Sequence, residues 1–255
     1  MNKRNLLVKL IRLKPHLHGR LYGWLWEIVW PLVREPDGLP SRYRLHIPVP
    51  WRTWTRRSRE EAEAVIGLEQ TNRIRIIWAS RSVFFKRPWV FFNLIRAFLP
   101  WSSEYEFVVV TNHLEQQKKK FEDCCEGLNI KWFDMFDNPE GYEAAFQASD
   151  LAIFPAAGSV TGLMFKECVA NGIPAACTVA PEDIILHTLF EKNKDFLEID
   201  ETDFTESAER IRKAVSDKSH VKIAERALER IRTTQPSQDE FGGVCSDFLV
   251  NLVDR

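Results

Sequence analysis

Short apolar runs alternate with helical patterns from Arg73 onward. Six of these runs have the length and the β-branched or aromatic content of buried strands. They are Ile74–Ala79, Glu106–Thr111, Ile130–Phe133, Leu151–Phe154, Ile173–Cys177 and Phe196–Ile199. Strands that alternate with helices over about 180 residues predict an α/β fold with a single doubly wound parallel sheet.

Between the strands, apolar residues recur at helical spacing and end at capping residues. Ser58, followed by two glutamates, predicts the start of one helix, and Gly67 predicts its end. Pro88 opens a second helix at a position that tolerates proline. The predicted helices are 58–66, Pro88–Phe98, Leu114–Gly127, Pro139–Ala148, Leu163–Ala170, Pro181–Asn193, Thr205–Val215, His220–Ile231 and Asp239–Val253.

The segment before the strands has a different character. Residues 1–59 carry 13 Lys and Arg against 3 Asp and Glu, whereas the rest of the chain carries 22 basic and 33 acidic residues. We therefore divide the chain into a basic, Trp-rich, helical N-terminal arm with its connector, residues 1–72, and a Rossmann-like domain with C-terminal helices, residues 73–255.

The arm itself, residues 1–33, places Leu and Trp at helical spacing among basic residues. Such a helix suits the headgroup region of a membrane. The alternative is that its Trp face docks on its own domain or on a further domain. We find no recognised nucleic-acid-binding module and expect no nucleic-acid partner.

Several classes of protein and site are excluded by missing patterns. No apolar run reaches the roughly 18 residues of a membrane span, and the N-terminus lacks a signal-peptide cleavage pattern. The five cysteines have no C-x-x-C spacing, which indicates free thiols in the cytoplasm, either in solution or peripheral to the membrane. There is no dinucleotide-binding glycine motif, P-loop lysine pattern, nucleophile elbow or metal-ligand spacing, so we expect no metal and no bound cofactor.

Two loops at the carboxyl edge of the predicted sheet carry the remaining candidate chemistry. One follows the first strand and contains Arg81 and Lys86; the other, 156–162, is built of small residues and precedes a helix. Cations and helix N-terminal amides suit the oxygens of a diphosphate, and Glu167, one turn into the helix, could accept two ribose hydroxyls. The alternative is that Arg81 and Lys86 are ordinary surface cations and Glu167 is a solvated helix residue.

Residues 73–217 resemble the C-terminal, donor-binding domain of GT-B glycosyltransferases, in the large retaining group (glycosyl transferases group 1) that uses nucleotide-sugars. The first strand with Arg81 and Lys86 resembles the family's strand with its Gly-Arg and Lys-Gly loop. The family's S-A-D-hydrophobic-P motif is similar to A-S-D-L-A-I-F-P at 148–155. Its E-G-F-G-hydrophobic-x-x-x-E-A-M-A-x-G-x-P motif is similar to G-S-V-T-G-L-M-F-K-E-C-V-A-N-G-I-P at 158–174.

The resemblance implies a role for each of these positions. Arg81 and Lys86 would contact the donor diphosphate, and Glu167 would hold the ribose. The backbone of Thr161, Gly162 and Leu163 would contact phosphate or sugar. The nucleotide-sugar is then a substrate and not a cofactor, and no catalytic residue is assigned.

Two departures from the family pattern affect this reading. The first glutamate of the family motif is Ser159 here, which can bind a sugar hydroxyl but lacks the charge. Ser80 and Arg87 replace two glycines, a change that we expect to matter little. Only about 70 residues precede Arg73, too few for the acceptor domain of a full GT-B enzyme.

Two functions follow as alternatives. The first is a hexosyltransferase-like glycosyltransferase, for instance in polysaccharide biosynthesis, that takes its acceptor site from a partner chain or a second copy of itself. The second is a non-catalytic nucleotide-sugar-binding or scaffold protein derived from the GT-B fold. Ser159 and the missing acceptor domain favour the second, and the matching donor positions favour the first.

Overall fold

Six parallel strands form one sheet in the order β3-β2-β1-β4-β5-β6. The computed structural model describes residues 52–82, 86–155, 162–179 and 189–235, all within one compact unit that begins at Pro48. The strands are β1 (Ile74–Ala79), β2 (Tyr105–Thr111), β3 (Ile130–Asp134), β4 (Leu151–Phe154), β5 (Ala175–Thr178) and β6 (Leu197–Ile199). The predicted α/β fold with a doubly wound parallel sheet is confirmed, with strand ends shifted by one or two residues.

Helices cover both faces of this sheet. Those described are α1 (Arg59–Ile66), α2 (Pro88–Arg96), α3 (Leu114–Lys120), α4 (Glu122–Cys125), α5 (Pro139–Gln147), α6 (Gly162–Ala170), α7 (Phe204–Ser216) and α8 (Ser219–Thr234). The capping box predicted at Ser58 is confirmed, because its side chain accepts from the Glu61 N–H while the Glu61 carboxylate accepts from the Ser58 N–H. Gly67 ends α1 in the left-handed conformation, at φ 70°.

The central strands are apolar on both sides, as expected for a sheet that is covered twice. Alternate residues of β2 face opposite cores: Phe107 and Val109 pack with the aromatic side chains of α2, whereas Val108 and Val110 pack with α5 and α6. On the α2 side, the Phe91 ring stacks on Trp78 of β1, and the Phe92 ring meets Trp78 edge-on. Because both sides of each central strand are apolar, the strands appear as continuous apolar runs and are recognisable from sequence alone.

One predicted helix is broken. The pattern predicts a continuous helix Leu114–Gly127, but the structure has two short helices that meet at Phe121 (φ −113°, ψ 18°). The Phe121 ring is buried and stacks on Phe92 with 4.0 Å between ring centroids. We attribute the break to this packing, because an aromatic contact with α2 takes the residue out of helical geometry.

Other predicted segments lie wholly or partly outside the described residues. These are the arm, 1–33, the terminal helix Asp239–Val253, and most of the helix Pro181–Asn193. At the described end of the latter, Leu189 is the last helical residue, so the predicted end at Asn193 is wrong. Asn193 instead has a positive φ of 58° in the turn before β6.

Residues 52–66, assigned from sequence to the connector, lie against the sheet domain. The Trp54 side chain is buried and stacks on Phe146 of α5 at 5.8 Å. Ala62 of α1 is fully buried in the same core. These contacts join the end of the connector to the Rossmann-like domain.

A buried ionic network lies near the amino ends of the strands. The Arg75 side chain on β1 is fully buried, with its guanidinium paired to Glu63 of α1 and to Glu106 of β2, the latter at 2.5 Å. Asp150 accepts a hydrogen bond from the Arg75 backbone N–H at 2.7 Å and pairs with Arg59 at 3.1 Å. The network thereby ties α1 to the first two strands and to the start of β4.

Candidate nucleotide site at the carboxyl edge of the sheet

The strand order reverses between β1 and β4, which are neighbours in the sheet but distant in sequence. Ile76 pairs with Leu151, and Ile77 with Ala152. The chain leaves β1 toward one side of the sheet and leaves β4 toward the other, so the loops that follow them part at the carboxyl edge. This is the position at which open α/β sheets bind ligands.

The loop after β1 is braced by the loop after β2. The Ser80 backbone N–H donates to the Val110 carbonyl at 3.0 Å, which extends the ladder by one residue. The Ser82 N–H then donates to Asn112 Oδ1 at 2.7 Å, and its hydroxyl donates to Gln117 Oε1 at 2.6 Å. Arg81 therefore lies between two anchored residues.

Arg81 and Lys86 are close enough in space to influence each other. Arg81 is exposed and Lys86 is partly buried. Burial lowers the pKa of the Lys86 ammonium, and the positive charge of Arg81 lowers it further. An anion bound between the two would relieve this repulsion, which suits a diphosphate.

Arg87, which follows Lys86, has left-handed backbone geometry with φ 50° and ψ 54°. Its guanidinium pairs with both carboxylate oxygens of Glu201, which follows β6. Glycine adopts this geometry at no steric cost, whereas other residues do so rarely. Arg87 in place of glycine therefore matters more than the sequence indicates. Its side chain joins this loop to Glu201 beyond the end of β6, and its backbone is strained.

Arg87→Gly should be more stable than Arg87→Ala by about 1 kcal/mol in urea unfolding, because both variants lose the ion pair but only glycine relieves the strain. Arg96 in the last turn of α2 provides the matched control. There the order should reverse, with alanine more stable than glycine by roughly 0.5–1 kcal/mol. The same order at both positions would contradict a strained Arg87.

On the other side of the switch point, α6 begins at Gly162. Ser159 and Thr161 lie outside the described residues, and only the backbone is described at Gly162 and Leu163. The helix ends at Asn171 and Gly172, where Gly172 has a φ of 79°, the left-handed geometry of a glycine cap. The roles assigned to Ser159, Thr161, Gly162 and Leu163 stay predictions.

Glu167 lies within α6 and is only partly exposed. Burial raises the pKa of its carboxyl group; the positive charge of Arg52 opposes this increase, and the negative charge of Glu143 adds to it. The Trp54 indole also favours the charged form, although its N–H forms no hydrogen bond of regular geometry. Glu167 is therefore not a solvated helix residue, and its nearest charged neighbours are Arg52 and Glu143.

Sequence reasoning missed Arg52, Trp54 and Glu143. Arg52 and Trp54 lie in the proline-rich connector, and Glu143 lies on α5, so no local motif links them to Glu167. The signal available in the sequence was a tryptophan and arginines directly before the Ser58 cap, a composition unusual for a solvated linker. The structure thus brings Arg81 together with Lys86, and Glu167 together with this second group.

Two features are absent from the described residues. These residues contain no group of three or more His, Cys, Asp or Glu side chains arranged to hold a metal ion. None of their helices is long and apolar enough to cross a membrane.

No family model matches the sequence, and neither does any curated protein. Solved structures do match the fold. WaaG, a glycosyltransferase involved in lipopolysaccharide biosynthesis, is 17% identical with a TM-score of 0.60 over 79% of this chain and 55% of WaaG. Alr3699/HepE from Anabaena, solved in complex with UDP and glucose, is 17% identical with a TM-score of 0.57 over 70% of this chain and 48% of that protein.

A third match indicates which half of such proteins is present. The C-terminal domain of LpcC, a glycosyl transferase group 1 family protein from Francisella tularensis, is 14% identical with a TM-score of 0.57, and the match covers 72% of this chain and 95% of that domain. This chain spans about half the length of WaaG and HepE but nearly all of the isolated domain. The described residues therefore have the fold of the C-terminal domain of GT-B glycosyltransferases.

Proposed function

We propose that this chain binds a nucleotide-sugar at the carboxyl edge of its sheet and takes part in glycosyl transfer. The observation that carries the proposal is a pair of cations beside the topological switch point: Arg81 lies between the anchored residues Ser80 and Ser82, and its charge acts on Lys86. Their mutual repulsion in the ligand-free protein is what a bound diphosphate would offset. The likeness in fold to glycosyltransferases supports the same assignment.

In the proposed reaction, the bond between the sugar C1 and the diphosphate oxygen breaks while an acceptor hydroxyl oxygen bonds to C1 and its proton passes to the leaving diphosphate or to solvent. The nucleoside diphosphate leaves with increased negative charge on its terminal phosphate. Arg81 and Lys86 would stabilise that charge, and they need little rearrangement because the loop is already braced. Glu167 would hold the ribose by accepting its hydroxyls. The acceptor site would come from a partner chain or a second copy.

Thermal-shift titration with UDP, GDP and ADP, and with their glucose conjugates, tests ligand binding. A ligand at 100 times its Kd should stabilise the protein by about 2.7 kcal/mol, a rise in Tm of roughly 5–10 °C. The matching nucleosides, which lack phosphate, should have a much smaller effect. Failure of every phosphorylated ligand to raise the Tm would overturn the proposal.

A second candidate is a binding protein without transferase activity. Ser159, in place of a glutamate that would contact the sugar, favours it. The two candidates differ in the release of nucleoside diphosphate from a nucleotide-sugar that binds. Release that increases when an acceptor or a co-purifying partner chain is added supports the enzyme, whereas binding without release in the presence of that partner supports the second candidate.

A further inference from the structure

We propose that Arg52 is a positioning residue for Glu167: fixed to α6 through Asn171 and paired with Glu143, it supplies positive charge beside the Glu167 carboxylate that would bind a ribose. The proposal rests on the proposed nucleotide site, and it adds to that site a segment from outside the strand–loop–helix unit. Trp54, two residues after Arg52, assists it. The group defined here, Arg52, Trp54, Glu143 and Glu167, is called the carboxylate cluster.

The first line of support is an ion pair across the surface of α5. The Arg52 guanidinium lies 3.0 Å from Glu143 Oε1, and the Glu143 side chain is largely buried. Arg57 approaches the other Glu143 oxygen at 3.7 Å and pairs more closely with Glu140, at 2.8 Å. Arg52 is thus held against α5 by its ion pair with Glu143.

The second line of support is the way Asn171 fixes the connector to α6. Its side-chain oxygen accepts from the Trp54 backbone N–H at 2.7 Å, and its amide group donates to the Arg52 carbonyl at 2.7 Å. The same amide group donates to the Glu167 carbonyl at 2.8 Å. One side chain therefore sets the distance between the backbones of Arg52 and Glu167, so the relation between them is a fixed property of the fold.

The third line of support is a pair of donors with no partner. Among the described residues, the Arg52 Nε and the Trp54 Nε1 groups are buried and form no hydrogen bond. Both belong to residues that favour the ionised form of Glu167. Buried donors without partners are costly, and they are most readily explained where an oxygen of a ligand or of a reoriented carboxylate can reach them.

Burial and the side chains of Arg52, Trp54 and Glu143 act on the charge of Glu167. Only the ionised carboxylate accepts from one hydroxyl at each of its two oxygens, since the protonated form donates at one of them. Burial and Glu143 both raise the pKa of Glu167, whereas Arg52 and Trp54 act against this increase. Removal of Arg52 should therefore raise the Glu167 pKa further, and removal of the Glu143 charge should lower it.

A binding experiment with two ligands isolates the ribose contact. The first ligand is the nucleoside diphosphate that binds the wild-type chain best, and the second is its 2′,3′-dideoxy analogue. At a pH below the Glu167 midpoint, Arg52→Gln should weaken binding of the first by up to about tenfold for each unit by which the pKa of the carboxyl group rises. It should leave binding of the second within about twofold, and Arg52→Lys should recover most of the loss.

The pH dependence of binding gives a second readout. Binding of the ribose ligand should be lost as pH falls through the raised pKa of Glu167, because protonation removes the acceptor. The midpoint of this loss should lie at higher pH in Arg52→Gln and at lower pH in Glu143→Gln than in the wild type. Arg52 from the connector and Glu143 from α5 are the charged groups that act on Glu167. Arg57 in turn contacts Glu143 and Glu140.

A ligand-free measurement separates this inference from the proposed function. Carbon-13 NMR of selectively labelled glutamate carboxyls should show the Glu167 titration moving in the same two directions in Arg52→Gln and Glu143→Gln. Equal weakening of both ligands by Arg52→Gln, or a Glu167 titration that neither variant moves, would overturn the inference. If the NMR shifts occur and no nucleotide binds, the proposed function fails while the control of Glu167 by Arg52 stands.

Discussion

Replacement of Arg75 by methionine should lower the free energy of unfolding by about 3–5 kcal/mol, the cost of breaking a buried ion pair from one side. The Arg75 side chain is fully buried and is paired with Glu63 and with Glu106, both almost fully buried themselves. Methionine fills a similar volume but leaves buried Glu106 without its cation and leaves Glu63 with Arg59 alone, at 3.1 Å. Urea unfolding followed by circular dichroism measures the loss.

Two further variants test this explanation. Lys131→Met removes a partly exposed cation that lies 3.4 Å from Glu69, and it should cost less than about 1 kcal/mol. A triple variant that combines Arg75→Met with Glu63→Gln and Glu106→Gln should recover part of the stability, because no charge is then left buried. A loss below about 1 kcal/mol in Arg75→Met would show that the network does not hold α1 to the strands.

The second large effect concerns ligand binding. Arg81→Ala and Lys86→Ala should each weaken the binding of a nucleoside diphosphate by about 10- to 100-fold, because each removes a hydrogen bond between charged groups worth roughly 1.5–3 kcal/mol. The loss should be larger for the diphosphate than for the nucleoside monophosphate. Isothermal titration calorimetry at fixed ionic strength provides both affinities, since screening by salt affects them.

Arg81→Ala should not destabilise the ligand-free fold. The charge of Arg81 disfavours the protonated form of Lys86, so the loss of Arg81 removes a repulsion. Lys118→Ala on α3 is the matched control, since Lys118 is a partly exposed cation paired with Glu115 at 2.9 Å. It should leave affinity and stability nearly unchanged. Weaker binding in Lys118→Ala to the same degree would indicate general electrostatic attraction instead of a site.

The sequence predicts the sheet well because each central strand is short, apolar and bounded by polar residues or by proline. The helix caps at Ser58 and Gly67 were also predicted correctly, because a cap is defined by a few adjacent residues. Reliance on local patterns also explains the two errors in the helices. The break at Phe121 depends on a ring from α2, and the geometry before β6 depends on contacts that the sequence pattern does not contain.

The candidate site was predictable only where a motif is contiguous. Arg81 and Lys86 follow a recognisable strand, and the charge of Arg81 acts on Lys86; their contact with a diphosphate stays a prediction. The carboxylate cluster was not predictable, because Arg52 and Glu167 are joined through Asn171 across a long sequence separation. The ion pair between Arg87 and Glu201 was not predictable for the same reason, because its two residues are far apart in the sequence.

The pairing of β1 with β4 also has a consequence for how the chain folds during synthesis. Ile76 and Leu151 pair across about 75 residues of intervening chain. At a translation rate of roughly 5–20 residues per second, β1 leaves the ribosome several seconds before its second neighbour exists. In that interval β1, β2 and β3 can form a partial sheet in which β1, a central strand of the finished sheet, is an exposed edge and thus a template for unwanted strand pairing. A chaperone that protects this nascent chain would be expected to act between the emergence of β3 and the arrival of β4.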